Sequence, residues 1–270
     1  MPAIETWLAD ATRQLDNVGI KSSHLDSQII LSHTLRKPRT YLHAHPEEEL
    51  SDRHTEIADA RLSLRLDHVP IAYIIGHKDF FGHRFIVTSA TLIPRPESET
   101  MIDILIQRTN PEANFKLVDV GTGSGCLGIT AKLELPKLEV TLVDISRHAL
   151  RVATQNSEQL KADVTIIQSD LLSSYPFTPD IILANLPYVA FEWNTSEETK
   201  YEPKEALFAE DNGLLLIKKL IGQTNVLADS GYLYLEADLR QHDEIIEIAR
   251  LNSLHLVKRQ GYILVFQKRD

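Results

Sequence analysis

The chain has 270 residues, one cysteine and a net charge of −10. A single cysteine excludes an intramolecular disulfide and a multi-cysteine metal site, and no apolar run approaches the ~20 residues that span a bilayer. The acidic balance repels phosphate, so a nucleic acid is not expected as the direct substrate. The length suits an enzyme domain with a smaller companion. The start, Met1-Pro2-Ala3-Ile4-Glu5, is neither basic nor continuously apolar, which predicts no signal peptide; a cytoplasmic monomer without membrane contact is expected. No pair among the eleven histidines has zinc-site spacing, so no metal is expected. His43 and His45 read as loop residues.

Residues 1–75 read as helices. Ile4, Trp7, Leu8, Ala11, Leu15 and Val18 recur at helical spacing, and Gly19 closes that segment. Ser23 is the expected cap of a second helix, with Asp26 completing a capping box, and Lys37-Pro38 stops it. Glu47 to Glu49 read as a solvated surface, and Ser51 caps a helix running to about Asp67. Residues 76–99 change pattern. Phe80, Phe81, Phe85, Ile86 and Val87 around Gly82 predict a hairpin of short strands. In Leu92-Ile93-Pro94-Arg95-Pro96-Glu97-Ser98-Glu99 two prolines forbid helix and stiffen a connector, and a helix over 98–108 follows.

Residues 100–270 form the third region, in which strands alternate with helices. Strands are predicted at 116–120, 140–144, 164–168, 181–185, 232–236, 254–258 and 263–267, and helices at 146–160, 213–227 and 241–251. Such alternation gives a mostly parallel sheet covered on both faces, with ligands beyond the carboxyl ends of the strands near the switch point.

The first of these strands runs into Gly121-Thr122-Gly123-Ser124-Gly125. Glycines let the backbone pass close to a ligand. Gly123, Gly125 and Gly128 also match a dinucleotide-binding pattern, so a nicotinamide enzyme must be weighed. Asp119 stands two residues before the loop, where it could hold an amine. Asp144 ends the second strand, where a carboxylate accepts from ribose hydroxyls. Asp170 follows the third strand, placed to cap a loop or to receive an adenine amino group. The combination points to an adenosine-containing cofactor. Cys126, at the start of the next helix, reads as a small buried packing residue.

The fourth strand delivers Asn185-Leu186-Pro187-Tyr188. A planar nitrogen, in an amide or an adenine amino group, is a poor nucleophile because its lone pair is delocalised. Two acceptors aimed at its two N–H bonds hold it and favour a pyramidal nitrogen. The Asn185 side-chain oxygen and the Leu186 carbonyl supply them, Pro187 fixes the backbone, and Tyr188 is placed to pack on the planar acceptor. This is catalysis by positioning and electrostatics, with a sulfonium cofactor, S-adenosyl-L-methionine, supplying the methyl group.

Gly121–Gly125, Asp144, Asp170 and Asn185–Tyr188 resemble the motifs of class I methyltransferases that act on planar nitrogen. Over its whole length the chain resembles the peptide chain release factor glutamine methyltransferases (PrmC/HemK family). Leu25–His33, Pro70–Gly76, Phe81-Gly82, Phe85–Val87, Leu92–Glu99, Tyr201–Leu207 and Asp211–Leu214 carry that resemblance. It implies a class I, Rossmann-like α/β fold: a seven-stranded sheet preceded by a small helical N-terminal domain and a β-hairpin connector. It implies N5-methylation of the glutamine in the Gly-Gly-Gln motif of class 1 release factors. Gly121–Gly125, Asp144 and Leu171 would line the cofactor site, Asn185 to Tyr188 would hold the glutamine, and the helical domain and connector would grip the release factor. Two positions depart from the family: Leu186 replaces its usual first proline, and the hairpin around Lys258-Arg259-Gln260-Gly261-Tyr262 is reduced. Asn-Leu-Pro-Tyr also resembles the motif of rRNA adenine dimethyltransferases, so adenine N6-methylation stays open, as does methylation of a ribosomal-protein glutamine.

Overall fold

The computed structural model describes residues 1–269. The chain forms two compact units. The first comprises Met1–Gly76 with Ser196–Tyr201, and the second comprises His77–Thr195 and the chain from Glu202 on.

The first unit is helical: α1 (Ile4–Asn17), α2 (Ser23–Leu35), α3 (Arg39–Ala44), α4 (Asp52–Leu66) and α5 (Ile71–Ile75). Ile4, Trp7, Ala11 and Leu15, one stripe of α1, pack on Ile30 and Leu31 of α2 and on Ala58 and Leu62 of α4. Ser51 caps α4, its hydroxyl accepting from His54 N at 3.3 Å. The start of α2 differs from expectation. Its first residue is Ser23, the cap position is Ser22, and no side chain caps it. Asp26 is instead committed over a long range: its Oδ2 accepts from Arg65 Nε at 2.7 Å, with both side chains almost fully buried. Arg65 also donates to Val69 O (3.1 Å) and Glu198 Oε1 (2.6 Å). A buried guanidinium needs acceptors for its whole fork, and that demand outweighs a local cap. His43 lies in the last turn of α3, not in a loop, and His45 follows with its ring stacked on Tyr41 at 4.1 Å. Pro38, which stops α2, also opens α3.

The second unit begins with the hairpin of β1 (His77–Phe80) and β2 (His83–Ile86), paired antiparallel. The connector contains a single 3-10 turn, Pro96–Ser98, where no helix was expected; Pro96 stands at its first position, which needs no N–H. Next come α6 (Glu99–Arg108), β3 (Lys116–Val120), α7 (Cys126–Glu134), β4 (Glu139–Asp144), α8 (Arg147–Leu160), β5 (Val164–Gln168) and β6 (Ile181–Ala184). After these follow α9 (Lys204–Leu207), α10 (Leu215–Gly222), β7 (Tyr232–Glu236), α11 (His242–Arg250), β8 (Leu254–Gln260) and β9 (Ile263–Lys268). The predicted helix over 213–227 is shorter than its apolar pattern, ending at Gly222 before a 3-10 turn, Thr224–Val226.

The seven strands order as β5-β4-β3-β6-β7-β9-β8. β5 to β7 run parallel and β9 is antiparallel to both its neighbours. The switch point lies between β3 and β6, so their carboxyl ends flank the natural ligand crevice. β8 and β9 close through Gly261-Tyr262 alone, since Gln260 pairs with Ile263. Asn156 of α8, fully buried, ties the hairpin to the glycine loop. Its Nδ2 donates to Ile86 O (3.0 Å) and Ser124 O (2.8 Å), and its Oδ1 accepts from Ile86 N (2.7 Å).

Asp26→Ala takes the buried carboxylate from Arg65 and leaves only the more exposed Glu198 as its anionic partner. It is expected to cost about 3–5 kcal/mol in urea unfolding; a loss below ~1 kcal/mol would show the pair to be incidental.

Candidate active site

A cavity of about 640 Å³ opens at the carboxyl ends of β3 to β6, within the second unit. That volume is in the range of small-ligand pockets. Gly121, Thr122, Gly123 and Ser124 line it from the end of β3, Asp144 from β4, Asp170 and Leu171 from beyond β5, and Asn185, Leu186 and Pro187 from beyond β6. Leu92, Pro94, Arg95 and Ser98 of the connector and Pro203, Glu205 and Ala206 complete the wall.

The loop is folded by its own backbone. Gly121, Gly123 and Gly125 take φ of 69°, 56° and 83°, and the Gly121 and Thr122 N–H groups donate to Val143 O. Asp144 accepts from Gly123 N on Oδ2 (2.9 Å) and from Ser146 N on Oδ1 (2.8 Å). Burial raises its carboxyl above the usual range, while these backbone donors pull it back.

Three sequence-predicted residues do not face the cavity. Asp119 is buried below the loop, where its Oδ2 accepts from Thr122 Oγ1 (2.5 Å) and Gly128 N (2.9 Å). Burial pushes its carboxyl up to about 6 against those two donors, with Asp144 adding to the rise. Asp119 thus braces the turn, since a buried carboxylate takes the nearest donors. Gly125 also lies off the wall: its φ of 83° disfavours any side chain, and a Cβ there would stand 2.7 Å from Ile129 Cδ1 and 3.3 Å from Ala153 Cβ. Tyr188 is the third. Its hydroxyl donates to Glu236 Oε1 at 3.2 Å and its ring packs on the sheet core, so it does not face a substrate plane across the cavity. Conversely, Cys126 lies on the wall. Burial pushes its thiol up to about 12, so the helix start does not make it a nucleophile.

The segment after β6 is pinned at several points. Asn185 Nδ2 donates to Ser98 Oγ at 3.1 Å. The Leu186 side chain, 3% exposed, joins the core and passes so close to the loop that a Cβ on Gly121 would lie 2.8 Å from its Cδ2. Gln241 Nε2 donates to Tyr188 O (2.8 Å) and Asn212 O (2.7 Å). Gly213, at φ 83°, presses on the same Tyr188 carbonyl, which a Cβ would approach to 2.0 Å. The connector is held too: the buried Glu202 accepts from Ile93 N (3.1 Å) and Arg95 (2.5 Å).

Sequence reasoning missed Ser98, Glu202, Glu236 and Gln241. One signal was present. Asp144 stood out as an acid closing an apolar strand, and Glu236 closes β7 in the same way.

The brace beneath the loop is testable at Gly128, where a Cβ would meet Leu142 Cδ2 at 2.3 Å and Asp119 Cβ at 2.9 Å. Gly128→Ala is expected to lower stability by about 1–3 kcal/mol; an unchanged melting temperature would contradict this packing.

Among the described residues, no group of three His, Cys, Asp or Glu side chains could hold a metal ion, and no helix is long and apolar enough to cross a membrane. Two family models match the chain: a PrmC N-terminal domain over residues 6–76 and a methyltransferase small domain over residues 97–231. A release factor glutamine methyltransferase of Koribacter versatilis is 35% identical over 89% of this chain and 88% of its own length. A bifunctional methyltransferase of Rickettsia bellii is 34% identical over 91% of this chain, which spans only 50% of that relative. Among solved structures, a methyltransferase from Pyrococcus furiosus shares the fold, with a TM-score of 0.54 and 17% identity over 78% of this chain and 98% of its own. The sheet is thus the Rossmann-like sheet of class I methyltransferases. Since the Koribacter relative aligns across both the helical and the methyltransferase parts, the chain belongs to the release factor glutamine methyltransferase family.

Proposed function

We propose that the chain transfers a methyl group from S-adenosyl-L-methionine to the side-chain amide nitrogen (N5) of the glutamine in the Gly-Gly-Gln motif of class 1 peptide chain release factors. The cavity's residues fit the cofactor. A carboxylate on β4 and another beyond β5 stand at one end to receive ribose and adenine donors, and the glycine loop gives close backbone approach. When bound, the cofactor supplies an electrophilic methyl group on a sulfonium.

The residues of this chain then position the acceptor. Asn185 turns Nδ2 to Ser98, which leaves Oδ1 to accept from one N–H of the substrate amide. The Leu186 carbonyl takes the other. With the cofactor bound, the new N–C bond would form as the methyl–sulfur bond breaks, its electron pair staying on sulfur, and the nitrogen would give up one of these protons to bulk water. Hydrogen bonds from Gln241 and the packing of Leu186 keep the segment rigid, so its acceptors do not reorganise during reaction. Asp119, buried below the loop, shapes it through its bonds to Thr122 and Gly128. The helical unit supplies release factor contacts, a role supported by the family match over residues 6–76. The anchored Asn185 amide is the observation that carries this reading.

Labelled cofactor incubated with a release factor, a ribosomal protein and rRNA side by side tests it. Label is expected on the release factor and none on its Gln→Ala variant; label on rRNA alone would overturn the reading. Asn185→Ala is expected to slow transfer at least ~10²-fold, the usual loss for one preorganised hydrogen-bonding group, with cofactor affinity unchanged. Asp144→Ala is expected to weaken cofactor binding about tenfold or more by calorimetry, as when a charged acceptor is lost.

A further inference from the structure

Asn185 needs a partner that fixes which way its amide faces. The two ends of an asparagine amide are nearly alike in shape, and flipping it would turn Nδ2, a donor, toward the substrate's N–H. Ser98 cannot choose between the two orientations, because a hydroxyl both donates and accepts. Something beyond Ser98 must break that symmetry.

Glu236 stands where this is done. β6 and β7 run parallel with Ala184 level with Leu235, so the next residues, Asn185 and Glu236, lie side by side at the carboxyl edge. Glu236 is 1% exposed. Its Oε1 accepts from Tyr188 OH, and its Oε2 is buried without a hydrogen-bond partner. The side chains of Ser98, Tyr188 and Asn185 all bear on this carboxyl and favour its ionised form. Burial above all, and the nearby Glu97 charge, push the carboxyl above its usual range, and those three side chains oppose the rise.

We propose that Glu236 is a positioning residue for methyl transfer: an acceptor-only carboxylate that draws the Ser98 hydroxyl proton, leaves Ser98 Oγ to accept from Asn185 Nδ2, and so holds Asn185 Oδ1 toward the substrate. The same carboxylate takes the Tyr188 hydroxyl, so one group anchors both ends of the segment. The proposal rests on the role given to Asn185 above. It also gives Tyr188 a purpose inside the wall.

Glu236→Gln tests it, because glutamine keeps the shape and introduces two donors. Those donors compete with Nδ2 for Ser98 Oγ, and the Asn185 amide loses its fixed orientation. With wild-type enzyme turning over on release factor, the variant is expected to lose at least ~10-fold in kcat, with substrate KM and cofactor Kd within about twofold. Ser98→Ala is expected to act likewise. The double variant should be little worse than either single one, since all three groups act as one chain. A readout independent of turnover is the Asn185 side-chain amide in enzyme labelled with 15N-asparagine, assigned by its absence in Asn185→Ala. Its exchange with water is expected to be slow in wild type and at least ~10-fold faster in Glu236→Gln. A variant with wild-type kcat, or one whose Asn185 amide stays as protected as wild type, would overturn the proposal. If Glu236→Gln does not fold, Ser98→Ala with wild-type kcat or wild-type amide exchange does so equally. Absence of turnover by wild type on release factor would instead strike the assigned reaction, and the exchange measurement would still decide the role of Glu236.

Discussion

Everything at the carboxyl edge depends on the register of β6 between β3 and β7. Val120 is level with Ala184, and Ala184 with Leu235. The next residue of each strand is therefore Gly121, Asn185 and Glu236 in a row. In parallel strands, residues at one level point to the same face. A slip of β6 by one residue would exchange its two faces and move Asn185 away from both neighbours. The register is held by burial: Ile181, Ile182, Leu183 and Ala184 are all buried, so β6 packs on both faces.

That register explains what could be read from residues alone. The strands were legible because a buried parallel strand is a short apolar run, and β3, β5 and β7 fall on the predicted residues. Asp144 and Asn185 were legible because each ends such a run. Ser98 and Glu236 were not assigned to the site, because nothing local tells a residue that a side chain 87 positions away will meet it, as Asn185 meets Ser98. Asp26 shows the same limit. Its spacing from Ser23 imitates a cap, yet besides the nearby Ser22 hydroxyl its Oδ2 takes Arg65, 39 residues downstream. Asp119 and Tyr188 sit next to the right motifs and face inward, since spacing along a chain does not say which face of a turn a side chain takes.

The carboxylates also alter the meaning of the acidic composition. Asp26, Asp119, Glu202 and Glu236 are buried, and none contributes an open charge to the surface. Asp26 is paired with Arg65 and Glu202 with Arg95, so these pairs cancel within the net charge of −10 and leave it to the rest of the acidic composition. The interior share of it serves geometry: Asp119 braces the glycine loop, Glu202 holds the connector, and Glu236 faces the segment after β6.

The position that departs from the family, Leu186, can be weighed in the same terms. Its side chain is committed to the core beneath Gly121. What an acceptor would meet at this position is the backbone, which leucine and proline share. A leucine here thus fits any chain that can bury its side chain, and it selects neither an amide nor an adenine. Discrimination between planar nitrogens must then come from the walls that are not common to the fold's core. Here those are the Pro-Arg-Pro connector and the segment at Pro203 to Ala206, joined through Glu202 to Ile93 and Arg95.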